Sequence, residues 1–177
     1  MREALPPPDD PRAAPRELLA ALRRLVGEPT AAGYCADLLD GVDAHAYADV
    51  LPYLGGNLDW DAYWARAWGA RGLLYVWADP VGPAVVQGLD DPAWRVAENC
   101  LKVATVRELS AAGPAAVELA EHSLPRVRAQ AVRTLGVVGD TEHVDAVEAA
   151  LDDPDVGVRV AAQRAMTRLV ERLDLPT

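Results

Sequence analysis

Three histidines, His45, His122 and His143, and two cysteines, Cys35 and Cys100, are the side chains best suited to hold a metal or attack a substrate. A metal needs several such groups converging on one point. Glu121-His122 and Glu142-His143 are the nearest approach. One pair falls at the end of a helix and the other at the start of the next, so no symmetric cage results. The cysteines lie far apart along the chain, with no CxxC. Two buried reduced thiols are expected, with a single disulfide the lesser alternative. No nucleophile motif, phosphate loop or zinc spacing is present. The acidic pairs Asp90-Asp91 and Asp152-Asp153 suit capping and turn formation. The chain therefore reads as a non-enzymatic protein with no catalytic residue, metal or cofactor.

Binding is better served than catalysis. Arg71, Lys102, Arg133 and Arg164 recur at a constant 31-residue interval. Around an apolar stripe of Val127, Ala131, Leu135 and Val138, Arg133 lies about 150° away at ~100° per residue, so it faces outward, and the other three share its phase. Trp94 stands at the start of a helix and is the preferred aromatic contact. Trp60, Trp64 and Trp68 follow i, i+4, i+8 spacing, with Tyr63 beside them and Tyr75 and Trp77 beyond. Such a row usually seals one layer against the next; the alternative is an exposed strip of the kind enriched in binding hot spots.

The elements that position these residues follow from periodicity. Ala65, Val96, Val127 and Val158 keep the 31-residue register, as do Leu73, Ala104, Leu135 and Met166. Asp79, Ser110 and Thr141 form a third column, and all three are good helix N-caps. Each unit reads as two helices, expected near 80–89 and 93–109, 112–121 and 125–138, then from 141 to 151 and onward from 154. A less regular pair spans 44–54 and 60–77. Two capping helices are expected around 16–26 and 31–41. Residues 1–15 hold five prolines and read as a flexible tail.

Asp91-Pro92-Ala93-Trp94-Arg95-Val96 and Asp153-Pro154-Asp155-Val156-Gly157-Val158-Arg159 resemble the HEAT-repeat family in its short form, often called PBS-lyase-like, whose second helix opens D-P-x-x-x-V-R. The resemblance covers roughly residues 44–177. It implies an all-α, right-handed α-solenoid of helical hairpins, here in the 31-residue register, behind an N-terminal cap. One domain, 16–177, would comprise the cap at 16–43 and repeats at 44–78, 79–109, 110–140 and 141–175. The family's Asp-to-Arg ladder is complete at Asp153 and Arg159, whereas His122 pairs with Arg128 and Asp91 with Ala97, so the ladder reads as structural. HEAT-like deoxyhypusine hydroxylases hold iron through repeated His-Glu pairs; here the dipeptides are reversed and out of register.

Net charge is −10, and just over half of the residues are apolar. Acidity disfavours non-specific attraction to nucleic acid or anionic membranes. No apolar run reaches transmembrane length and no leader pattern is present, so a cytoplasmic monomer is expected. Arg and Lys beyond residue 58 nevertheless fall on the second helices or the turns before them. The first helices carry Glu118, Glu121, Glu142, Asp145 and Glu148. In HEAT-like proteins the second helices form the inner, concave wall, so the resemblance implies that these cations face it. The expected function is a scaffold binding another protein or an acidic peptide there, through Arg71, Lys102, Arg133, Arg164 and Trp94. Solvated cations neutralised by Glu98, Glu108 and Glu171 are the plainer alternative. A nucleic-acid protein resembling the HEAT-like alkylpurine DNA glycosylases is the second functional reading, and a tetrapyrrole lyase a weak third resting on the family label.

Overall fold

The computed structural model describes residues 4–175, and they are all helical, with no strand among them. The chain packs as two compact units, Met1–Gly88 and Leu89–Thr177.

In the first unit, α1 (Pro15–Val26) opens on a proline at its first position, where the missing N–H costs nothing. Gly27, at φ 82°, breaks the chain before α2 (Glu28–Leu39). The pair expected at 44–54 and 60–77 is mostly not α-helical. Its first half is two 3₁₀ turns, Ala44–Tyr47 and Leu51–Leu54, and α3 covers only Tyr63–Gly72. Pro52 explains the first difference, since its ring would clash with the carbonyl of Ala48 in a continuous helix. Short α4 (Gly82–Gln87) follows. The α2–α3 contact is tight: a Cβ on Gly69 would lie 2.4 Å from the Cys35 carbonyl oxygen, and one on Gly72 would lie 2.5 Å from its Sγ. The proline-rich segment before α1 is extended but tethered. The Leu5 N–H donates to Asp49 at 2.6 Å, Tyr53 donates to the Pro6 carbonyl at 2.8 Å, and Pro8 is buried.

The second unit is more regular. Its long helices are α5 (Trp94–Arg107), α7 (Pro125–Val138) and α9 (Val156–Leu173), with α7 packed against both neighbours. Shorter α6 (Gly113–Leu119) and α8 (Val144–Ala149) pack on the long helices that follow them. The residues Val96, Val127 and Val158 are fully buried, as are Ala104 and Leu135. The expected caps are shifted by one position. Asp79, Ser110 and Thr141 open a 3₁₀ turn instead of preceding it. At the last of these Asp140 is the cap, accepting from the Thr141 N–H at 2.7 Å. That turn feeds each first helix, so the α-helical hydrogen bonding starts later than a simple cap implies.

Asp91 and Asp153 shape the turns before the long helices as expected, and His122 completes their column. The side chains of Asp91, His122 and Asp153, which follow one another at the repeat interval, accept the N–H two positions on, from Ala93, Leu124 and Asp155, at 2.8, 3.0 and 2.8 Å. His122 does an aspartate's work through Nδ1. His143 is also structural: it is buried, and its Nδ1 accepts the Asp140 N–H at 2.8 Å. No group of three or more potential metal ligands occurs among the described residues.

Candidate partner-binding face

The α5–α7–α9 wall carries Lys102, Arg133 and Arg164 at equivalent positions. Arg133 and Arg164 are exposed and have no ion-pair partner among the described residues. Lys102 is half-buried and its ammonium lies 3.2 Å from Glu98. Lys102 thus shows part of the neutralisation that a bland surface predicts, and the other two do not.

Glu98 is the hub at one end of this wall. It is buried, and it accepts three hydrogen bonds of 3.0–3.2 Å from the Arg126 guanidinium besides pairing with Lys102. Arg126 in turn covers the Trp94 ring at 4.7 Å, while Arg95 lies over it at 4.2 Å. Two guanidiniums therefore lie over the half-buried indole, each attracted to its π-system. One carboxylate, Glu98, thus faces two cations, Lys102 and Arg126. Sequence reasoning did not single out Arg95 and Arg126, although they too stand one repeat apart. The signal ends at Gly157, so the column has only two members.

Towards the other end, α7 and α9 approach closely, since a Cβ on Gly136 would lie 2.8 Å from Ala165. A shallow groove of about 400 Å³ opens there, lined by Gly136, Val137, Arg168 and Arg172 with Glu108 and Glu171. Arg172 also donates to the Gly139 carbonyl, which ties the end of α9 to the end of α7.

Arg71 departs from the expected outward placement. It lies in the first unit, half-buried, and donates to the Leu54 carbonyl at 2.5 Å. Burial pushes its pKa below the ordinary arginine value. The reason is local: the 3₁₀ turn that ends at Leu54 leaves a carbonyl needing a donor, and no helix continues to supply one.

The tryptophan row divides by depth. Trp68 is buried, Trp64 is half-buried and Trp60 is 57% exposed. Trp64 stacks on Trp68 at 6.0 Å and meets Trp60 edge-on at 5.2 Å. Trp60 lies ahead of α3, so helical spacing alone does not bury it. The row is both core and surface.

Residues 82–168 match the family described as HEAT repeats. The chain is a HEAT-repeat protein. No curated protein matches it. HEAT repeats in general suggest a protein-interaction scaffold. No described helix is long and apolar enough to cross a membrane. Cys35 and Cys100 are both buried, and no disulfide joins them. Burial raises the Cys35 thiol from 9.0 to about 12, which makes it a packing residue and not a nucleophile.

Proposed function

We propose that this HEAT-repeat protein is a non-enzymatic scaffold whose α5–α7–α9 wall binds an acidic, extended segment of a protein partner. The observation that carries the reading is the pair Arg133 and Arg164: exposed, unpaired among the described residues, and in register on adjacent helices. Lys102 continues the row, and Trp94, with Arg95 and Arg126 over its ring, supplies an aromatic anchor beside it. With helices spaced ~8–10 Å apart the row is about 20 Å long, the reach of roughly six extended residues. Arg71 is left out of the site because its guanidinium serves the Leu54 carbonyl.

Net charge discriminates between short and long anions. At 0.1 M salt the field of exposed charges fades over ~10 Å, so a short acidic segment feels mainly the wall. Duplex DNA carries a charge every ~1.7 Å and would overhang onto the acidic remainder. The reading is tested by titrating a labelled twelve-residue Glu-rich peptide and a short DNA duplex against the full chain at several salt concentrations. Saturable, salt-sensitive peptide binding with much weaker duplex binding supports a protein scaffold. Tighter duplex binding with a steep salt slope would replace it with a nucleic-acid function.

A further inference from the structure

The first unit holds a second site of the opposite charge preference, independent of the basic wall. Between the end of α2 and the start of α3 lies a cleft of about 270 Å³. Val42, Leu58 and Trp60 line it, and all three are large apolar side chains left exposed, at 44, 41 and 57%. Trp68 closes the inner end, held in place by Gly56, whose missing side chain leaves room for the ring. Exposed apolar groups gathered around one concavity are a mark of binding, whereas scattered ones are not.

Charge and size narrow the occupant. Asp43 and Asp61 line the cleft against one fixed cation, Arg66. Hydrogen bonds from the His45 backbone and side chain hold the Asp43 carboxyl below its ordinary pKa, so it is ionised at neutral pH. The cleft also abuts the C-terminal end of α2, where the helix dipole is negative. A cavity of this volume falls below the range of drug-sized ligand sites and suits one side chain.

The geometry points to the cleft as a docking pocket for a single arginine side chain from a protein partner, its guanidinium set against Trp60 and Asp61. A planar, weakly hydrated guanidinium stacks on indole better than an ammonium does. The same chain shows the pairing elsewhere, where Arg95 and Arg126 lie over Trp94 at 4.2 and 4.7 Å.

The test is a ¹H–¹⁵N NMR titration of the full chain with N-acetyl-arginine N-methylamide, following the indole N–H signals. The signals of Trp60 and Trp68 are expected to shift saturably, while the glutamate analogue leaves them unchanged. Trp60→Ala should weaken binding at least tenfold. Asp61→Asn, at an exposed position that leaves the fold intact, should weaken it about threefold or more. Absence of saturable indole shifts, or equal shifts with the glutamate analogue, overturns the proposal. Shifts with tetramethylammonium but not with the arginine amide would overturn it in favour of a small quaternary ammonium ligand.

Discussion

Arg128 on α7 grips Asp153, in the turn before α9, through two hydrogen bonds of 2.8 and 2.9 Å. The same guanidinium donates to the carbonyls of His122 and Ser123, at 2.9 and 3.2 Å. Asp153 also accepts the Asp155 N–H, while Arg159 donates to the Asp153 backbone carbonyl at 2.7 Å. One carboxylate thus ties a helix to the following turn and shapes that turn as well. With side chains only 14 and 9% exposed, this is not a weak surface pair. Removing one partner would strand the other. We expect Arg128→Ala to cost about 1.5–3 kcal/mol in urea unfolding, the range for hydrogen bonds to charged groups. Arg128→Lys should recover only part of it, because a point charge cannot reproduce the bidentate fork. Wild-type stability in Arg128→Ala would show that packing alone holds α7 to α9.

The same pair sets a pH dependence. Hydrogen bonding from Arg128 holds the Asp153 carboxyl below its ordinary value of 3.8. A pKa lower in the folded than in the unfolded state gives stability that is full above the unfolded value and is lost as pH falls through the folded one. Asp153→Asn should therefore be less stable than wild type by a constant margin from pH 7 to pH 5. The margin should shrink below pH 3.8. Unfolding free energies of both chains across this range would check it, and a margin that stays constant into strong acid would refute the linkage.

Cys35 and Gly72 make a packing prediction. The Cys35 thiol, raised to about 12 by burial, should resist alkylation at pH 8 until the first unit opens. Gly72→Ala would put a Cβ 2.5 Å from Sγ against a helix already in close contact. Overpacking of that kind costs about 1–3 kcal/mol. Thiol labelling should accelerate in proportion, and unchanged labelling would mean that α2 and α3 separate easily.

Val127 is fully buried between the helices of the second unit. Val127→Asp places an unpaired charge there, and the cooperative thermal transition of residues 89–177 should be lost or drop steeply. Circular dichroism melting would show it.

The repeat was legible because identical packing sites recur: Val96, Val127 and Val158 fill the same buried position, and the 31-residue register follows from them. The first unit was less legible because it lacks that recurrence. Pro52 and Gly55 divert the chain into 3₁₀ turns, so Arg71, in register by number, meets the Leu54 carbonyl instead of solvent. Periodicity also placed Lys102, Arg133 and Arg164 on one wall. Spacing within one helix also exposed the Glu98–Lys102 pair, but it could not show that Glu98 engages Arg126 as well, because that contact joins α5 to α7. The cleft beside Trp60 was illegible because more than half of its lining comes from residues between elements, Val42, Asp43, Leu58, Trp60 and Asp61 among them, where no period operates.

The basic wall is tested most directly by the affinity of the Glu-rich peptide for wild type and for Arg133→Glu/Arg164→Glu, with helicity checked on both. Both side chains are exposed and unpaired among the described residues, so the double variant should keep its helicity and melting transition. Its peptide affinity should fall at least tenfold at 0.1 M salt, and a Lys-rich peptide should gain affinity. Undiminished Glu-rich peptide binding by a folded double variant would contradict the assignment of the α5–α7–α9 wall as the partner-binding face.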